Sequence, residues 1–204
     1  MGINLADKGY YDVIATLPGD FPKLPADGYI CQVINAEITN SKAGNLMLIL
    51  YLDIAQGNFA GHFKTALNRV NSPSIKWDNA AIYRQLLFDN DSGRVSRFFK
   101  GLLTTFELSN PTFKINITNF DASSLRGKLI GFVFAEEEYT KKNGDIGSRI
   151  FAKFPKTVDD IQSGNFSVPE LKKIQHSKIA GNTPNINNYD FGGDDTIDPN
   201  DTPF

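Results

Sequence analysis

Side chains able to do covalent or acid–base work are few in this chain, and they stand apart. His62 and His176 are distant in sequence, and neither has an acid or a thiol at a recognisable catalytic spacing. Cys31 is the single cysteine, which leaves no internal disulfide and no cysteine-rich zinc site, so a small core residue in a reducing, cytoplasmic compartment is expected. The acidic neighbours Glu136-Glu137-Glu138 and Asp159-Asp160 read as solvated faces rather than metal ligands. There is no glycine-rich phosphate loop, nucleophile elbow or dinucleotide fingerprint. The expectation is a protein that is not an enzyme, with no cofactor and no metal.

The spacing of cations and rings offers more. Arg149, Phe151 and Lys153 alternate, so on a strand they share one side while Ile150, Ala152 and Phe154 take the other. A surface that holds a nucleic-acid single strand needs cations along the phosphates and aromatic faces for the bases. His62 and Lys64 have the same two-residue spacing, and Tyr51 is the ring on the less aliphatic side of its segment. Trp77 lies in a polar stretch, where it fits either a stacking platform or an anchor for the surrounding loop.

The elements that must position these residues are mostly strands. After an irregular leader rich in Gly and Pro (1–28), with a short strand expected near Tyr10–Ile14, residues 29–39, 46–54 and 59–66 read as three strands in meander order. The second has Leu46, Leu48, Leu50, Leu52 and Ile54 on one side. Residues 78–88 and 95–108 carry apolar side chains at helical spacing, with Val95, Phe98, Phe99, Leu102, Leu103 and Phe106 on one face of the second; Asp78 and Ser92 are candidate caps. A short strand is expected at 112–120. Residues 128–139 and 148–154 then form two strands around Lys142-Asn143-Gly144-Asp145, whose Asn-Gly pair is a strong hairpin signal. Three strands, a helical insert and two strands are the order of a five-stranded OB-like barrel, mainly β, with the insert between strands 3 and 4. In that reading Lys42 occupies the first inter-strand loop, and Lys141 and Lys142 the loop between strands 4 and 5, the two loops such barrels turn toward oligonucleotides.

Charge divides the chain in two. Five of the 23 acidic residues and none of the 21 basic ones fall after residue 178, so residues 1–178 carry 21 basic against 18 acidic side chains, a formal charge of +3. Residues 179–204 are Asn, Asp, Gly, Thr and Pro with few apolar side chains, and are expected to be a disordered acidic tail after a folded 1–178 body. That tail holds Asp194, Asp195, Asp198 and Asp201 and ends Thr202-Pro203-Phe204, an aromatic ring beside a carboxylate. A shallow apolar pocket flanked by Arg or Lys can capture both. The longest apolar run, Leu46–Leu52, is strand-sized, so no membrane partner is expected, nor is a signal peptide.

The tail resembles the C-terminal element of bacterial and phage single-stranded DNA-binding proteins, with Thr202 where those have an aliphatic residue and Pro199-Asn200 interrupting the acids. Over residues 29–154 the body resembles the phage replication-module group of that family. The likeness rests on Lys42-Ala43-Gly44-Asn45, Gly57-Asn58-Phe59-Ala60-Gly61 and Gly127-Lys128-Leu129-Ile130-Gly131 leading to Glu136-Glu137-Glu138-Tyr139. The resemblance implies coating of single-stranded DNA in replication and recombination, recruitment of partner enzymes through the tip, and residence in the host cytoplasm. A different reading, a protein-interaction or recombination-accessory module with little DNA affinity, is compatible with the small body charge. Homo-oligomerisation is left open.

Overall fold

The computed structural model describes residue 4, residues 22–69 and residues 76–174. The expected strand near Tyr10–Ile14, His176 and the whole acidic tail lie outside the described residues.

Two long hairpins dominate. In the first, β1 (Gly28–Asn40) pairs antiparallel with β2 (Leu46–Ile54); in the second, β4 (Leu129–Thr140) pairs antiparallel with β5 (Ile146–Lys156). A short strand, β3 (Ile82–Leu86), adds to β2, and the N-terminal part of β1 pairs with the start of β4, giving one antiparallel sheet in the order β3-β2-β1-β4-β5. Four successive antiparallel pairings make the two edge strands, β3 and β5, run in the same direction. Among the described residues, three α-helices accompany the sheet: α1 (His62–Arg69), α2 (Arg97–Ser109) and α3 (Val158–Gln162).

The sheet is strongly curled. Tyr83 of β3 and Phe132 of β4 are separated by two intervening strands, which in a flat sheet would put them about 14 Å apart. Their ring centroids are 4.9 Å apart. The curl encloses a core of Leu48, Leu50, Leu52, Val33, Ile130, Phe132 and Phe134 and brings β3 near β5, although no strand pairing joins those two edges among the described residues. Helix α1 contributes Phe63, stacked on Phe134 at 6.0 Å, and α2 contributes Phe99, Leu102 and Phe106. Burying such side chains contributes about 1.5–3 kcal/mol each.

Helix α3 covers the outer side of the sheet over β4. A Cβ on Gly131 would come within 2.5 Å of Ile161 Cγ1 and 2.7 Å of the Thr157 carbonyl, so only glycine allows this approach. Asp160 serves α3 as half of a capping box with Thr157: the Thr157 hydroxyl accepts from the Asp160 amide (3.0 Å), while the Asp160 carboxylate accepts from the Thr157 backbone.

Five expectations about elements are corrected. Residues 59–66 are not a strand: Phe59, Phe63 and Ala66 have helical spacing, and the buried Asp53 carboxylate accepts from the Phe63 amide (3.0 Å) at the start of α1. Residues 78–88 are not a helix. Asp78 caps only the brief 3-10 turn Asn79–Ala81, and pairing with β2 then draws Ile82–Leu86 into β3. No strand forms at 112–120, where Phe113, Ile115 and Phe120 pack on the core from irregular chain. Ser92 lies in a turn closed on Asp89 rather than at a helix start, and the apolar face expected over 95–108 is broken: Val95 precedes α2, bridged to Phe88, and both Val95 and Phe98 are exposed.

Candidate nucleic-acid interface

The β5 strip is present but rephased. The β4–β5 register shifts between Val133 and Phe134, leaving Lys153 as an extra residue between Ala152 (opposite Phe134) and Phe154 (opposite Val133). Ile150 and Ala152 face away from Phe151, as expected, and are buried, whereas Phe154 is turned outward and 45 % exposed. Lys153 Nζ consequently lies 5.8 Å from the Phe151 ring centroid and 5.3 Å from that of Phe154, within cation–π range of both. The resulting surface holds two rings and one cation.

Arg149, at the other end of this strip, is already matched. Its Nε and Nη2 lie 2.7 and 2.6 Å from Glu137 Oε1, and its guanidinium sits 5.9 Å from the Tyr139 ring. The two neighbouring glutamates are also engaged. Glu136 accepts from Lys23 Nζ (2.6 Å), a hydrogen bond that is the chief cause of its lowered pKa. Glu138 accepts from the Ile174 amide (3.0 Å). These three acids bind parts of the body to one another.

Lysines stand at the tips of both hairpins, and the two turns have the same construction. In Ser41-Lys42-Ala43-Gly44-Asn45 the Ser41 amide donates to Asn45 O (2.7 Å) and the Gly44 amide to Ser41 O (2.8 Å). In Lys141-Lys142-Asn143-Gly144-Asp145 the corresponding distances are 2.7 and 2.9 Å. Gly44 and Gly144 have φ of 81° and 86°, which glycine adopts without steric cost. Lys42, Lys141 and Lys142 are all exposed. Because β1 and β4 pair only through Gly28–Gln32 and Leu129–Val133, the hairpins extend in opposite directions and place these lysines at opposite ends of the sheet.

Between those ends, the outer side of β2 and β3 carries Tyr51 and Arg84. Tyr51 donates to Glu37 Oε1 (2.6 Å), and burial followed by this bond pushes its pKa up to about 12. Arg84 stands opposite Ile49, diagonal to Tyr51, and is half-buried; burial pulls its pKa down, while Tyr51 acts in the other direction. No carboxylate and no hydrogen-bond acceptor holds its guanidinium among the described residues. Reading 78–88 as a helix concealed this residue; the Ile82-Tyr83 pair, β-branched beside aromatic, was the signal for a strand.

The remaining expected residues lie elsewhere. His62 and Lys64 do not share a strand face: on α1 they are about 200° apart around the helix axis. The His62 ring packs against Phe59 and Phe63 (5.9 and 5.0 Å), and burial lowers its pKa against the opposing pull of Asp78 and Asp53. Lys64 is exposed. Trp77 is an anchor, with Nε1 donating to the Leu52 carbonyl (3.0 Å) and its ring packed on the core.

Asp194, Asp195, Asp198, Asp201, Pro203 and Phe204 lie outside the described residues. The last described residues lie beside β4, where Glu138 N donates to Lys172 O (2.9 Å) and Glu137 forms a parallel bridge with Lys172. Among the described residues, no helix is long and apolar enough to cross a membrane. Compared with known proteins, the chain matches no family model and no curated protein.

Proposed function

We propose that this chain binds single-stranded DNA without sequence preference along the outer face of β2, β3 and β5, and recruits partner proteins through its acidic C-terminus. The observation that carries the reading is Arg84, a half-buried guanidinium beside Tyr51 with no acidic partner among the described residues. A half-buried cation left unmatched among the described residues is suited to an anion from outside, and a phosphate is the natural one. The Phe151–Lys153–Phe154 cluster, with Phe154 exposed and Phe151 and Lys153 half-buried, supplies rings for bases to stack on. The strand order, the helix between β3 and β4 and the lysine-tipped turns agree with an OB-like barrel, whose strand 2–3 face and hairpin loops contact oligonucleotides.

The test is fluorescence anisotropy with labelled oligo(dT) and a duplex of equal length. The proposal expects tight, length-dependent and salt-sensitive binding to oligo(dT), and far weaker binding to duplex. Equal affinities would overturn it. Deleting the last ten residues is expected to abolish capture of replication or recombination enzymes while preserving, or at low salt slightly strengthening, DNA binding.

One observation favours the second reading, a protein-interaction module with little DNA affinity. Arg149 and Lys23 both face glutamates at 2.6 Å, which leaves two fewer of the body's cations available to a phosphate. The oligo(dT) titration separates the two readings.

A further inference from the structure

A cleft of about 350 Å³ opens between the turn after β2 and helix α3, over the start of β1. That volume lies within the range of small-molecule sites. Tyr29 and Phe59 form one wall, edge to face with centroids 6.0 Å apart, and Ile161 forms another. The Tyr29 hydroxyl donates to the Pro25 carbonyl (3.0 Å), which fixes the ring in place. Around this apolar interior stand three carboxamides, Gln56, Asn58 and Gln162. None of their side chains makes a hydrogen bond among the described residues.

The chemistry of the lining selects its ligand. Among the described residues, no carboxylate, ammonium or guanidinium lines the cleft, so the described lining does not suit a phosphate or a metal ion. Rings together with carboxamides suit a neutral, planar molecule with donors and acceptors on its edge. A carboxamide presents a donor and an acceptor side by side and matches the adenine N6/N7 edge in a bidentate pair, while unstacked bases are held on aromatic side chains. The position agrees with this. Ile30 lies on the outer side of β1, on the same surface as Asn35 and its partner Tyr51, and strand spacing puts the cleft about 15 Å from Tyr51.

We propose that this cleft is a nucleobase subsite at one end of the strand-binding face, accepting a single unstacked adenine through Gln56, Asn58 and Gln162. The proposal rests on the single-stranded DNA reading and adds base selectivity at one position to it. The test uses the full chain and its Gln56→Ala/Gln162→Ala double variant. Both substitutions are at exposed positions, where stability is expected to change little. Each protein is titrated with oligo(dT) and with oligo(dT) carrying one adenine at successive positions. The expected result is a gain of about fivefold or more at one adenine position for the unsubstituted chain. The double variant should lose that gain and keep its affinity for plain oligo(dT). No gain at any position, or a gain that survives the double substitution, would overturn the subsite. If neither protein binds oligo(dT), the strand-binding reading fails. Titration with free 2′-deoxyadenosine then decides the subsite: shifts of the Gln56 and Gln162 side-chain amide resonances support it, and unmoved resonances overturn it.

Discussion

Arg84 and Arg149 are both half-buried arginines on the sheet, on edge strands that the curl brings close together. Arg149 is clamped by Glu137 at 2.6 Å, with Tyr139 beside it; Arg84 has Tyr51 as its neighbour and no carboxylate. The pairing of Arg149 joins β4 to β5 across the ladder, since Glu137 and Arg149 stand opposite each other. The guanidinium of Arg84 joins nothing among the described residues. The difference teaches that a cation in the right strand pattern is a binding candidate only once its neighbours are known. Alternation put Arg149 forward, and an acid on the adjacent strand withdraws it.

The largest expected effect sharpens the contrast from the aromatic side. Phe151→Ala/Phe154→Ala removes both rings beside Lys153, and base–aromatic stacking is worth about 1–3 kcal/mol per base, so the loss of two platforms should lower oligo(dT) affinity by about thirtyfold or more. Circular dichroism should show an intact fold. Next comes Gly131→Ala, which forces α3 off β4 and is expected to cost about 1–3 kcal/mol of stability in denaturant unfolding. Arg149→Gln should cost under about 1 kcal/mol, because the ion pair is partly exposed and screened.

The smallest effect is one of pH. Burial lowers the His62 pKa in the folded state, so unfolding takes up a proton over the interval below the ordinary histidine value. The stability that His62 contributes is complete above that value, near 6.5, and is lost as pH falls toward the folded pKa. His62→Gln should flatten this part of a stability-versus-pH curve.

The two long hairpins were legible in the sequence because their signals are local. β-branched and aliphatic runs, and turns built on Gly44 and on Asn143-Gly144, state both the strands and their connections. The segment between them was not. Phe59, Gly61 and Phe63 alternate like a strand, while the carboxylate that caps α1 comes from Asp53, back in β2. Ile82–Leu86 becomes a strand through its partner β2, a long-range pairing that no local window contains. The candidate interface was half visible for the same reason. Phe151 and Lys153 were found by alternation. Phe154 was assigned to the opposite side because the extra residue at Lys153 follows from the β4–β5 register, and Arg84 was hidden with its strand.

The most direct measurement compares Arg84→Gln with Arg149→Gln in oligo(dT) titrations across a range of salt concentrations. If the unmatched guanidinium meets phosphate, Arg84→Gln weakens binding about tenfold and reduces the slope of log affinity against log salt by about one, while Arg149→Gln leaves both near those of the unsubstituted chain. Equal losses in the two variants, or a loss confined to Arg149→Gln, would contradict the account.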